Sequence, residues 1–362
     1  EWNALPENEG DAYDFFRDNC ATTGLAVLEE VFGDRFDAQC VPTDSTFLEA
    51  LRPFTAGHPW SAFGMELILG AEASSAMPAC GHAFLPDVLS HQLSLMTGPL
   101  YFLYKIISTI NLCKRLKNEY PDFDFVPIYW MASEDHDFEE ISSFRFQNKS
   151  IRWPKETAGA VGEMSLEDLL PVLDIFEQHL GESINDQQLK DLMKASYRKS
   201  KTLSEATFRL VNLLFGQYGL IVLEPHNPQL KTLFKPIVKE ELTKRSSYKE
   251  VNSQIEKLKQ DYDAEYKPQV NPRDINLFYL SENGRYRIEK KEDRFYLNGT
   301  EQSFTESASL EVLESNPEKF SPNVILRPIY QECILPNLCY VGGGGELAYW
   351  FQLKSTFDYF SL

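Results

Sequence analysis

The run Val341-Gly342-Gly343-Gly344-Gly345-Glu346 constrains this chain more than any other stretch. A strand-like apolar segment, Leu338 to Val341, empties into four glycines that open onto a helix-like Leu347 to Leu353. Backbone amides at such a junction can approach a ligand closely, and a helix N-terminus favours negative charge. The pattern implies an anionic small molecule held by Gly342, Gly343, Gly344 and Gly345; the alternative is a turn that lets helix and strand pack closely. It matches neither the dinucleotide fingerprint nor the phosphate-loop pattern. Glu346 either contacts a ribose or an amine or complements the helix dipole.

Val126 to Met131 reads as a buried strand, and Ala132-Ser133-Glu134-Asp135-His136-Asp137 falls just past its carboxyl end. In open α/β sheets ligands gather at that edge. Asp135 and His136 offer acid–base capacity there, because neighbouring carboxylates raise a histidine's pKa. The plainer reading makes His136 a helix-start residue and the acids dipole partners. A protein-only metal site is not expected, since consecutive residues do not all turn inward. Lys105 and Arg327 sit in apolar contexts, and Arg273 follows Asn271-Pro272 ahead of a strand. A ligand carboxylate or phosphate would partner such charges, and so would the surplus acids of the chain.

With 362 residues, 43% of them hydrophobic, the chain can build two domains or one large domain with insertions. Its net charge of −19 argues against nucleic acid as a partner, because phosphate contacts need clustered Lys and Arg. No run approaches the roughly 18 apolar residues of a membrane span, and residues 1–20 lack the order of a signal peptide. Six scattered cysteines form no Cys-x-x-Cys pair, and a reducing, cytoplasmic setting fits residues 91 onward. The missing initiator Met and the abrupt end suggest a processed or truncated chain.

Charge marks a seam. Residues 1–90 hold three Arg, no Lys and fifteen Asp or Glu, net −12, whereas 91–362 come to −7. In the first piece, Asn19-Cys20-Ala21-Thr22-Thr23 precedes apolar Leu25, Val27, Leu28 and Val31, which sets Cys20 at a helix N-terminus. A thiol there has a lowered pKa and is a candidate nucleophile; a buried cysteine is the other reading. His58 and His82 are bases for it or ordinary loop histidines.

After the seam, Thr97-Gly98-Pro99 starts a helix with Leu100, Leu103, Ile106, Ile107, Ile110 and Cys113 on its apolar face. Strands follow at Phe125 to Met131 and Leu220 to Leu223, with a mainly helical insertion over about 155–218 between them. Lys231 to Tyr266 reads as a polar helix or pair with a solvated face. A β-meander insertion over about 275–300 turns at Asn283-Gly284. Val324 to Leu335 has helical spacing interrupted by Pro328.

Four stretches, His91-Gln92-Leu93-Ser94-Leu95-Met96-Thr97-Gly98-Pro99-Leu100-Tyr101-Phe102-Leu103-Tyr104-Lys105, Tyr129 to Asp137, Gln269-Val270-Asn271-Pro272-Arg273 and Leu326-Arg327-Pro328-Ile329-Tyr330-Gln331-Glu332, together with Gly342 to Phe351, resemble the cysteine-adding enzyme family of bacillithiol biosynthesis, BshC. The resemblance spans 91–362. It implies an α/β, Rossmann-like parallel-sheet core with helical and small β insertions, acting as a ligase that joins the carboxyl of cysteine to the amine of glucosaminyl malate. That bond is uphill in water, so ATP, with accompanying Mg2+, is the expected activator, through an acyl adenylate or acyl phosphate. On this reading Thr97, Gly98, the four glycines and Glu346 bind nucleotide, and His91, Gln92, Asn271 and Arg327 bind substrate. His136 with Asp135 steadies phosphate or moves a proton, while Lys105 and Arg273 neutralise developing charge. The family's coiled-coil dimer helix is expected to be missing. So is its first strand, with Ser90 standing where the family tends to have Gly.

Residues 1–90 resemble the later part of the Lnb-type N-terminal periplasmic domain, through Tyr13 to Thr23, His58-Pro59-Trp60-Ser61-Ala62-Phe63-Gly64 and Phe84-Leu85-Pro86-Asp87. This implies a short, mainly helical α+β fragment related to cysteine peptidases, with Cys20 as the thiol. Two families from opposite sides of a membrane in one chain imply a fusion, either inactive or carrying thiol-dependent acyltransferase or peptidase chemistry at Cys20.

Overall fold

The computed structural model describes residues 83–362, apart from 148, 156–158, 262–263, 282 and 336. The readings of Cys20, His58 and His82, and of a mainly helical fragment before residue 83, lie outside the described residues. Four parallel strands, in the order β11-β1-β2-β5, form the central sheet. They are β1 (Ala83–His91), β2 (Phe123–Met131), β5 (Ile221–Leu223) and β11 (Cys339–Val341). Alternation along β2 sends Ile128 and Trp130 to one face and Tyr129 and Met131 to the other.

Both faces are covered. Val88, Ile128, Trp130 and Leu223 pack against α6 (Pro228–Lys244) and α9 (Leu326–Ile334), through Leu233, Phe234 and Ile329. Leu89, Tyr129, Met131 and Val222 pack against α1 (Leu100–Glu119) and α5 (Leu203–Phe215), through Phe102, Ile106 and Val211. Each such side chain contributes about 1.5–3 kcal/mol on burial. After β2 come α2 (Phe138–Ile141) and a hairpin, β3 (Ser143–Phe146) with β4 (Lys149–Arg152). Then α3 (Leu170–His179) and α4 (Ile184–Ser196) lead to α5. Ser183 and Thr202 cap α4 and α5 by accepting from Asp186 and Glu205 amides, so each helix starts where its sequence supplies a hydroxyl.

The second sheet has order β10-β6-β7-β8-β9, built from β6 (Leu277–Ser281), β7 (Gly284–Lys291), β8 (Arg294–Leu297), β9 (Ser303–Thr305) and β10 (Phe320–Pro322). It therefore reaches beyond the expected meander by two strands, one on each side of α8 (Glu306–Ser315). The chain from α6 continues through α7 (Ser246–Asp261), separated from it by Arg245 in a left-handed conformation. It closes with α10 (Gly344–Trp350) and α11 (Lys354–Phe360). Pro328 is tolerated because it sits in the first turn of α9, where no intrahelical amide is lost.

Three expectations change. The sheet does not lack a first strand: β1 runs through the supposed seam and pairs with β2 along its whole length, from Ala83↔Phe123 to His91↔Met131, and with β11 at Asp87↔Cys339 to Leu89↔Val341. The apolar face of α1 is rotated, leaving Leu100 58% and Ile107 43% exposed while Lys105 and Thr109 are buried, Lys105 against the Ser90 carbonyl and Glu346 and Thr109 donating to the Lys105 carbonyl of its own helix. Lys231, expected on a solvated face, is buried in an ion pair with Glu134.

Candidate functional site at the carboxyl edge of the parallel sheet

The chain steps from β1 to β2 to β5 in one direction, then returns to place β11 on the far side of β1. Strand order thus reverses between β1 and β11, and the crevice outside the carboxyl ends at such a point is where open α/β sheets bind ligands. β11 delivers the glycine run there, with Val341 in register with Leu89. Gly343 caps α10, and its N–H donates to Glu346 Oε2 at 2.8 Å. None of Gly342 to Gly345 has a positive φ. A Cβ on Gly342 would press on the Tyr340 ring at 3.0 Å, but among the described residues a Cβ on Gly344 meets nothing within 4 Å and one on Gly345 only Gln269 Nε2 at 3.9 Å. The fold itself does not require glycine at 344 and 345.

Glu346 is held from three sides: Lys105 Nζ at 2.5 Å, the Tyr340 hydroxyl at 2.8 Å and the Gly343 amide. Burial works against its charge, yet Lys105 leads the contacts that hold its carboxyl below the usual range. Lys105 also donates to the Ser90 carbonyl. These two charges, expected to meet a ligand, are thus paired with each other. Ahead of α1, Met96, Thr97 and Gly98 take consecutive left-handed φ values of 51°, 70° and 63°. Backbone of this kind is sparsely populated and clusters at ligand sites. A Cβ at Gly98 would overlap Ser94, so this glycine is structural.

Several buried polar atoms near the ends of β1 and α10 have no hydrogen-bond partner among the described residues: Ser90 Oγ, His91 Nε2 and Trp350 Nε1. Such orphans are rare in folded proteins. His91 lies against Tyr101 and Phe102, and burial lowers its pKa, favouring the neutral imidazole. Gln92 is tied to Glu140 at 2.7 Å. Gln352 pins the amides of Gln269 and Val270, which brings the loop carrying Asn271 and Arg273 toward the glycine run. Both loop side chains are exposed.

The loop after β2 occupies the same edge. Arg327 lines a small cavity together with Asp135 and Arg285, and its charge is felt by Tyr349, Tyr340 and Asp135. Asp135 is held to about 2 despite burial, by His136 and the Arg285 guanidinium. One ligand atom each from Asp135, His136 and Asp137 lies within 4.8 Å of the others, so consecutive residues do converge, contrary to the steric expectation. Arg285, against His136 Nδ1 at 3.1 Å, opposes a cation there.

Arg285 was not legible in the sequence. It comes from β7, in the inserted sheet, is stacked 4.0 Å from Phe278 and donates to Asp135 and to the Pro322 carbonyl. Glu134 stands in the sequence cluster after β2, but its partners come from far along the chain: Lys231 Nζ at 2.5 Å, His226 Nδ1 at 3.2 Å and the Ser321 hydroxyl at 3.0 Å. Burial opposes the Glu134 charge, but Lys231 and His226 hold the carboxyl down to about 2. His226 bridges Glu134 and Glu163, and those bonds outweigh burial to push it up to about 10. Glu224 accepts from Ser133, Ser204 and the His226 amide, and burial raises its pKa. Glu224 and His226 directly follow β5, a position that its carboxyl-end location could have flagged.

Comparison with known proteins agrees with this architecture. Residues 88–362 match a family profile described as "Bacillithiol biosynthesis BshC, N-terminal Rossmann-like domain". Proteins provisionally named cysteine ligase BshC from Flavobacterium johnsoniae and Flavobacterium psychrophilum are 56% and 52% identical over 268 and 269 residues, each covering 74% of this chain and 50% of the relative. A relative of the same name from Christiangramia forsetii is 50% identical over 275 residues, 75% of this chain and 51% of its own. The chain spans about half the length of the curated relatives it matches. The parallel sheet, the glycine run beyond β11 and these matches agree: the chain belongs to the BshC family, of which it carries the N-terminal Rossmann-like domain.

Proposed function

We propose that this domain serves bacillithiol biosynthesis by joining the carboxyl of cysteine to the amine of glucosaminyl malate, in the cytoplasm and at the expense of ATP. The observation that carries the reading is the glycine run at the point of strand reversal, where Gly344 and Gly345 leave open space that no packing need of the protein explains. The residues present fit a nucleotide. Ser90 Oγ and His91 Nε2 are buried without partners among the described residues, and the loop tied to Gln352 carries the exposed guanidinium of Arg273. An accompanying Mg2+ would come with the nucleotide and would not be held by Asp135, which Arg285 already pairs. ATP, when bound, supplies the activation of the carboxyl group.

The protein's own groups orient and exclude. The Lys105–Glu346 pair fixes the first turn of α10 against β1. Arg327 presents buried positive charge between the two loops, with no carboxylate within salt-bridge distance among the described residues. His136 is partly exposed at the mouth and is the group in place to move the amine's proton. Gly344→Asp should fold normally, since its Cβ meets nothing, and should lose ATP binding in isothermal titration by at least about tenfold through charge repulsion and lost space. Unchanged ATP affinity would remove the glycine run from the site.

We propose the Lnb-like reading for residues 1–90, of which 83–90 run into β1, with Cys20 as a reactive thiol; its support is sequence alone. The described cysteines, Cys113, Cys333 and Cys339, are buried with thiols pushed up, Cys333 to about 12. Iodoacetamide at mildly acidic pH should therefore label Cys20 well before these three, as read by peptide mass spectrometry. Labelling that spares Cys20 removes the proposal.

A further inference from the structure

The helical insertion sends one side chain to the loop that leaves β1. Tyr197 directly follows α4 and is fully buried, and its hydroxyl accepts a hydrogen bond from the Met96 amide at 2.9 Å, across 101 positions of chain. Its ring packs in the same apolar cluster as Leu95, Phe102 and Tyr129, which fixes where the hydroxyl points. Burial pushes the phenol up to about 12, so the group stays neutral.

The backbone that it meets is strained. Met96 and Thr97 have φ values of 51° and 70°, a region that residues with a Cβ avoid and a β-branched one most of all. Such a conformation persists only where its surroundings over-determine it. Two restraints lie within the loop: the Gly98 amide donates to the Leu95 carbonyl at 2.9 Å, and the Leu95 side chain is 1% exposed. The third is Tyr197, whose hydroxyl makes the one hydrogen bond from another element to residues 95–98 among the described residues. Because β1 and β11 are neighbours, this loop leaves the sheet beside the glycine run.

We propose that Tyr197 is a positioning residue for the crevice: its hydroxyl holds Met96 and Thr97 in the left-handed shape that presents the loop to a ligand bound beside the glycines. That the ligand is ATP rests on the function proposed above; the hold on the loop rests on the geometry alone. The insertion thus acts on the crevice through one buried oxygen, without touching the nucleotide.

Tyr197→Phe keeps the ring and removes that oxygen, leaving the Met96 amide without its acceptor. Melting curves check that the variant of the full chain folds. Without ligand, hydrogen–deuterium exchange over residues 94–98 should rise by at least about tenfold, while peptides from β2 and α5 keep the parent's rates. In isothermal titration a nonhydrolysable ATP analogue should bind about three- to tenfold more weakly. Adding Met96→Asn, a residue that enters the left-handed region readily, should recover part of that affinity, which loss of core packing alone would not allow. Unchanged exchange at 94–98 overturns the proposal, as does a loosened loop that binds the analogue as tightly as the parent, or a double variant no tighter than Tyr197→Phe. A loop loosened by Tyr197→Phe in a protein whose parent binds no analogue sustains the hold on the loop and sinks the nucleotide reading instead.

Discussion

Asp87→Val should stabilise this protein by about 4 kcal/mol at pH 8 and by far less near pH 4. Asp87 lies in the middle of β1, fully buried between β11 and β2. Among the described residues its Oδ2 accepts only from the Cys113 thiol, at 3.0 Å, and its Oδ1 has no partner. Burial pushes the carboxyl from the usual 3.8 up to about 7. An acid whose folded pKa is raised binds more protons folded than unfolded between those two values. Stability therefore falls as pH rises from about 4 to about 7 and is flat above. A shift of about 3 units corresponds to about 4 kcal/mol. Valine removes the titration and restores the apolar run that a doubly covered parallel strand favours. Melting curves of both proteins from pH 4 to 8 should diverge through this window; parallel curves would show that Asp87 titrates normally.

Lys231→Met should cost about 3–5 kcal/mol, because it leaves Glu134 buried without its closest cation. Lys231 is 1% exposed, bonded to Glu134 and to the Phe320 carbonyl at 2.9 Å, with the Tyr330 ring 4.8 Å away. It thereby ties the loop after β2 to β10 of the second sheet, and Ser321 repeats the tie by donating to Glu134. Adding Glu134→Gln should recover much of the loss, since the cost lies in the orphaned charge rather than in missing attraction. Urea unfolding of the two single variants and the double variant measures the coupling. Additive losses would mean that the two groups do not sense each other.

The strongly patterned parts of the chain were legible. Val126 to Met131 and the strand before the glycines are apolar runs that announce themselves, and their carboxyl ends do lie on one edge. β1 was not, for a physical reason: Pro86 and Asp87 are residues that central strands avoid, so Phe84 to Leu89 read as a junction between two pieces. The strand forms regardless, with the Pro86 carbonyl accepting from Leu338. The burial of Lys231 does not show in the sequence, because Lys and Glu at helical spacing describe a solvated face equally well and its partner Glu134 lies 97 positions away. Arg285 meets Asp135 across 150 positions, a pairing that only the folded insertion creates.

Hydrogen–deuterium exchange with and without ATP tests the crevice most directly. ATP bound at the strand reversal should slow exchange in segments 90–98 and 342–346 together, the two loops that leave β1 and β11 side by side. Protection confined to the β2–β5 side, or absent from both glycine-run and β1 peptides at saturating ATP, would contradict a nucleotide site there.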